Sequence, residues 1–281
     1  MMAETGKKIS DDTLVIRIVS ASVMVPAGLV VVWSGGPVLM LACALVGVAM
    51  WFEYWQVTSG EPTRRLVWHL GAVCILAQCL VLQCMPDYAG LIIAGIMITV
   101  LAALFLGRQR NPLWQFLGFV LVSAAVLSLI FVRGQSEIGL TLTVTIMVCV
   151  WATDIAAYFA GRGFGGPQLS PTGSPNKTWS GAAGAVICAA LIGVFLAGLT
   201  GASALSWFLF ASLLSIVAQL GDLAQSFWKR RYGVKDSGKL IPGHGGVLDR
   251  LDSFSATLIC VSLMLLFIPD LPYAYLGLEA A

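Results

Sequence analysis

Residues 179–200 read WSGAAGAVICAALIGVFLAGLT, an apolar run without one charged side chain. About 20 such residues, wound at 1.5 Å each, cross the hydrocarbon core of a bilayer. A helix also satisfies its own backbone hydrogen bonds there, where water cannot. Working outward from this run, eight more of similar kind follow at roughly 14–33, 36–57, 66–85, 88–106, 113–132, 138–160, 204–228 and 247–268. Turn chemistry separates most of them, as at Ser34-Gly35-Gly36-Pro37 and Met85-Pro86-Asp87. Composition agrees: 58% of residues are hydrophobic and 11% charged, where a soluble domain has about 25% charged. The fold expected is all-α, a polytopic membrane protein with about nine transmembrane helices. Residues 1–13 form a cytoplasmic tail and 14–281 a single membrane-embedded catalytic domain. The first run follows Lys7 and Lys8 as a signal peptide would, but continues too far without a cleavage site and reads as a retained helix. The seven cysteines all lie in apolar runs without a CxxC pair. They read as small buried hydrophobes.

The basic residues set an orientation. With the N-terminus in the cytoplasm and nine alternating helices, one side holds Lys7, Lys8, Arg17, Arg64, Arg65, Arg108, Arg110, Arg162, Lys177, Lys229, Arg230, Arg231, Lys235, Lys239 and Arg250. Of the sixteen Lys and Arg residues, Arg133 alone falls on the other side. This places the C-terminus outside the cell membrane. It also places two long, rich breaks, Gly161–Thr178 and Lys229–Gly246, on the cytoplasmic side, where nucleotides are available.

Charges inside the runs mark a site, because each costs about 2.5–3.5 kcal/mol at a helix centre. Asp154 sits late in the sixth run and Asp222 late in the eighth; Asp249 and Asp252 open the ninth with i, i+3 spacing and share a face. Four carboxylates near one end of their helices, beside basic loops, favour a metal site over simple capping. The break before the ninth run is the densest part: Ser226-Phe-Trp-Lys229-Arg230-Arg231-Tyr-Gly-Val-Lys235-Asp236-Ser-Gly-Lys239-Leu-Ile-Pro242-Gly243-His244-Gly245-Gly246-Val-Leu-Asp249-Arg250-Leu-Asp252-Ser253. Backbone N–H groups of a glycine-rich turn entering a helix bind phosphate oxygens, and Arg and Lys add charge-assisted bonds. Carboxylates beside phosphates suggest a bridging Mg2+. An anchor on anionic lipid would explain Lys229-Arg230-Arg231, but not Gly243-His244-Gly245-Gly246 next to Asp249.

This stretch resembles the signature of the phosphatidate cytidylyltransferases, or CDP-diacylglycerol synthases. Ser226, Lys229-Arg230, Lys235-Asp236, His244-Gly245-Gly246, Asp249-Arg250 and Asp252 match it without a gap. Trp151, Asp154, Tyr158, Gly161-Arg162, Ser174-Pro175, Lys177-Thr178 and Gly181 are similar to a second stretch of that family, with Gly173 and Asn176 departing from it. The signature region is thus 151–253.

The resemblance implies transfer of CMP from CTP to phosphatidic acid, giving CDP-diacylglycerol and pyrophosphate for phospholipid biosynthesis. It makes Asp222 and Asp249 the first metal ligands, with Asp236, Asp252 and Asp154 as further ligands or outer residues. Lys229, Asp236 and His244 join the two aspartates as catalytic candidates, His244 either as a base or as a shaper of the phosphate turn. Ser226, Arg230, Lys235, Arg250, Lys177, Arg162, Gly245 and Gly246 are the substrate-binding candidates. The cofactor implied is Mg2+, with a second cation as an extension. The partners implied are CTP, phosphatidic acid and membrane lipid, with no nucleic acid, and a homodimer is a further expectation. Localisation to the cell inner membrane follows. Two other readings compete: another membrane lipid phosphotransferase, and a transporter. A CDP-alcohol phosphotransferase would carry an Asp-Gly…Ala-Arg…Gly…Asp…Asp motif that is not present. A transporter tends to place its charges near the midplane of repeated halves. Asn176-Lys177-Thr178 looks like the end of a Walker A loop, but lacks its glycine spacing and preceding strand.

Overall fold

A computed structural model describes residues 11–59, 65–85, 94–95, 112–134 and 137–278. It is all-α apart from one short hairpin. The helices are α1 (Asp11–Ser34), α2 (Gly36–Ser59), α3 (Arg65–Cys84), α4 (Pro112–Arg133), α5 (Glu137–Phe164), α6 (Trp179–Thr200), α7 (Ala204–Arg231) and α8 (Leu248–Phe267). Among the described residues, six helices are long and apolar enough to cross a membrane: α2 and α4 to α8. α1 and α3 contribute shorter apolar stretches, Ile18–Ser34 and Trp68–Cys84. Of the run expected at 88–106 only residues 94–95 are described, and Lys7, Lys8, Arg64, Arg108 and Arg110 lie outside the described residues. Six candidate spans therefore stand where nine were expected.

Three boundaries differ from the sequence reading. α1 begins at Asp11, inside the expected tail, and α5 and α7 run on to Phe164 and Arg231. These extensions project polar turns beyond the apolar runs, so hydropathy alone ends them too early. The break 161–178 is not a plain loop. It folds as an antiparallel hairpin of β1 (Gln168–Ser170) and β2 (Ser174–Thr178). Pro171-Thr172-Gly173 makes its turn, and the Gly173 N–H donates to Ser170 Oγ at 3.3 Å. Thr178 ends β2 and caps α6, accepting the Gly181 N–H at 3.1 Å.

The helices approach closely through small residues, the means of association where lipid and side chains are equally apolar. Gly181 lies against the Ala157 carbonyl of α5, Gly184 against Ala160, and Gly193 against the Trp207 carbonyl and Ala211 of α7. Gly221 brings α7 against Asp252 and Ala256 of α8. Gly71 of α3 and Gly118 of α4 leave room for the Trp51 and Tyr54 rings of α2. One apolar core joins α2, α3 and α4 to Trp228 at the end of α7. A second joins α5, α7, α8 and the segment after α8.

Short turns join α1 to α2, α4 to α5 and α6 to α7 at one end of the bundle; the two long connections, 165–178 and 232–247, lie at the other. Arg133 marks the first end. Its Nε donates to the Val32 carbonyl at 2.6 Å and its Nη2 to the Trp33 carbonyl at 3.1 Å, closing the C-terminus of α1. Gly35, at φ +59°, lets that guanidinium in; a Cβ there would come within 3.1 Å of Nη2.

Candidate active site

The opposite end gathers the chemistry. α7 ends in Lys229-Arg230-Arg231, where cations suit the negative pole of the helix. Asp222, two turns earlier, forms an ion pair with Lys177 of β2 and accepts the Ser226 hydroxyl at 3.3 Å. This pair ties the hairpin to α7. Arg230 adds a second tie, donating from Nε to the Gly173 carbonyl at 3.4 Å. Asp154 of α5 feels the charges of Asp222, Lys177 and Arg250. Asp252 of α8 feels those of Asp222, Lys229 and Asp154. The charge of Asp222 thus reaches carboxylates on two other helices, and Gly221 beside it packs on the backbone of Asp252.

Asp249 is nearly closed off. Its Oδ1 accepts Lys229 Nζ at 2.7 Å, and its Oδ2 accepts the N–H groups of Ser237 at 2.8 Å and Gly246 at 3.0 Å. The side chains of Lys229 and Asp249 are 12% and 5% exposed. The Gly246 N–H, read from the sequence as a phosphate donor, is therefore already taken. Gly245 adopts φ +87° beside Asp249 and Asp236. Its carbonyl accepts the Ile241 N–H at 2.9 Å, which closes the turn. His244 Nδ1 lies 2.7 Å from Ser20 Oγ on α1, and its carbonyl accepts Arg250 Nε at 3.0 Å. Arg162 reaches Tyr158 Oη at 2.8 Å. Arg162, Arg230, Lys235, Asp236 and Arg250 are exposed, so a mobile anion has access to them.

One residue was missed from sequence. Glu53 of α2 is fully buried. It accepts the Ser237 hydroxyl at 3.0 Å and the N–H groups of Val247 and Leu248, both at 2.9 Å. Its signal was present: it is the one acidic residue in the run 36–57.

Neighbouring carboxylates suit a hard, oxygen-seeking cation. Among the described residues, however, no three His, Cys, Asp or Glu side chains are grouped so as to hold one. Lys177 supplies counter-charge to Asp222 here, and Lys229 does so for Asp249. Asp222 has both oxygens engaged, by Lys177 and by Ser226, and Asp252 accepts the Ser253 N–H at 2.8 Å, so these side chains are not arranged around a cation.

Known proteins share this arrangement's sequence. A protein named phosphatidate cytidylyltransferase from Brucella suis biovar 1 (strain 1330) is 39% identical over 266 residues, covering 92% of this chain and 96% of the relative. One of the same name from Staphylococcus haemolyticus (strain JCSC1435) is 31% identical over 264 residues, 89% and 98% of the two chains. A third, from Bacillus subtilis (strain 168), is 40% identical over 144 residues, 49% and 54% of the two. The model of the cytidylyltransferase family matches residues 15–268, taking in the carboxylates, both long connections and nearly all the described helices. On that match the chain belongs to the cytidylyltransferase family.

Proposed function

We propose that the protein transfers CMP from CTP to phosphatidic acid, giving CDP-diacylglycerol and pyrophosphate. The observation that carries this reading is the meeting of carboxylates and exposed cations at one end of a bundle of membrane-length helices. A soluble nucleotide and a lipid headgroup can both reach such a place. A phosphate oxygen of the lipid attacks the α-phosphorus of CTP; a bond forms there, the bond to the bridging oxygen breaks, and pyrophosphate leaves. The nucleophile is already anionic, so no base has to activate it. The difficulty is repulsion among anions, and positioned charge answers it. Arg162, Lys177, Arg230, Lys235 and Arg250 are suited to hold phosphates. Mg2+ would supply charge neutralisation on the phosphates, and Asp222 and Asp249, with Asp252 and Asp154 beside them, would be the carboxylates to hold it.

The test is purified protein with labelled CTP and phosphatidic acid. CDP-diacylglycerol should form, cease on chelation, and return with Mg2+. Product without added lipid, or none with it, would reject the reading. Direct attack further predicts inversion at a chiral α-thiophosphate of CTP and no exchange of pyrophosphate into CTP without lipid. Retention, or a labelled nucleotidyl-enzyme, would replace direct attack with a two-step route.

The same reading extends to topology, with about nine crossings in the inner membrane, the site in the cytoplasm and two copies pairing. Two observations support the crossing number. α3 begins beside the second half of α2, where Trp51 Nε1 donates to the Trp68 carbonyl at 3.3 Å. α4 begins there too, where Tyr54 Oη donates to the Trp114 carbonyl at 2.7 Å and Arg231 lies over the Trp114 ring at 5.1 Å. Helices that start at the same end need a crossing between them. A reporter active only when exported should therefore be active when fused after Ala281 and silent near Ser237. The reverse pattern would invert the orientation.

A further inference from the structure

We propose that Glu53 is a positioning residue for the nucleotide site. It clamps the 232–247 connection from a helix outside the signature region. This rests on the reading above. Three facts carry it. First, Glu53 is fully buried and accepts three hydrogen bonds, and no Lys, Arg or His pairs with it among the described residues. A buried carboxylate without a cation is costly. Here the N-terminus of α8 supplies the compensating charge.

Second, α8 has no cap of its own, since Val247 stands at its N-cap without a side-chain bond. A Ser or Asp at that position would cap the helix locally. The task falls instead to α2, which makes the connection's position depend on another helix. Gly238 and Gly246 wrap around the carboxylate so closely that a Cβ on either would collide with it.

Third, Glu53 and Asp249 grip the same two points. Ser237 gives its hydroxyl to Glu53 and its N–H to Asp249. At the other point, Gly246 donates to Asp249, while Val247 and Leu248 donate to Glu53. Asp249 in turn holds Lys229. The two carboxylates thus pin the stretch 238–245 at both ends, with Lys235 and Asp236 just before it and Arg250 just after. α2 is itself seated on α7 by stacking of Tyr54 on Trp228, ring centroids 4.6 Å apart. The clamp is therefore anchored to the helix that carries Asp222 and Lys229.

The test joins two measurements on full-length protein. Hydrogen exchange over 237–250 should be about tenfold faster in Glu53→Ala than in the wild type. Turnover should show a split: Glu53→Gln, whose amide NH2 opposes backbone donors, should raise KM for CTP and lower kcat/KM about 10- to 100-fold. Glu53→Asp, which keeps the carboxylate on a shorter stem, should fall between the two. Ser237→Ala removes one bond of the clamp without disturbing the helix cap. It should raise KM for CTP about three- to tenfold and serves where the Glu53 variants do not fold. Unchanged exchange, or KM for CTP unmoved in both Glu53→Gln and Ser237→Ala, would overturn the clamp. An inactive wild type with clamp-dependent exchange would instead overturn the reaction assigned above.

Discussion

Asp222→Asn is expected to lower turnover by roughly 10²–10³-fold, the scale lost when one preorganised electrostatic group is removed from a reacting site, while the protein stays folded. Asp222 lies well inside α7, so helix capping cannot account for it. Its side chain is 29% exposed, and its partners are Lys177 and Ser226. Asn keeps the shape and still accepts from Ser226, so packing survives. What changes is charge: the carboxylate paired with Lys177 becomes neutral. An amide oxygen holds Mg2+ far less well than a carboxylate. The measurement is kcat against Mg2+ concentration, with thermal unfolding beside it. Near-normal kcat at limiting Mg2+ would reject the proposed metal role of Asp222 and leave it as the anchor of the hairpin.

Asp249→Asn is expected to lose activity as heavily but for a different reason, and to lose stability as well. The Lys229–Asp249 pair is nearly closed to solvent, with side chains 12% and 5% exposed. Removing one member of a buried pair leaves the other charge uncompensated, at about 3–5 kcal/mol. The Asn NH2 must also face Lys229 or one of the N–H groups of Ser237 and Gly246. The connection should loosen, and thermal unfolding should come earlier. Lys229→Met added to Asp249→Asn removes the stranded charge, so it should recover much of the stability but none of the turnover. Because the two residues touch, their effects should not add. Equal stability of Asp249→Asn and the wild type would show that the buried pair contributes little to folding.

These expectations separate two aspartates that the sequence treats alike. By sequence, Asp222 and Asp249 both fall toward one end of apolar runs beside basic loops, and the resemblance ranks them together. Whether a carboxylate faces other carboxylates or is filled by backbone donors depends on how α5, α7 and α8 pack. Spacing along one chain does not contain that information.

Sequence by itself determined the all-α class, the apolar runs that become the described helices, and the two connections in which the charged residues gather. Those follow from local quantities: the length of apolar runs, the absence of charge within them, and the gathering of Lys and Arg in two connections. It also determined the family, because the stretch from Ser226 to Asp252 is contiguous. Only the tertiary structure decided the rest. The hairpin 168–178 was hidden because its strands are too short to show a period. Glu53 was hidden because its partners lie on a connection about 190 residues later in the chain, and a lone glutamate in an apolar run has no local sign of what it meets. The backbone donor at Gly246 was read as open to phosphate and is taken by Asp249, while those of Val247 and Leu248 go to Glu53. The physical reason is common to all three cases. A helix's existence is set by its own residues, whereas the partner of a buried polar group is set by which other helix packs against it.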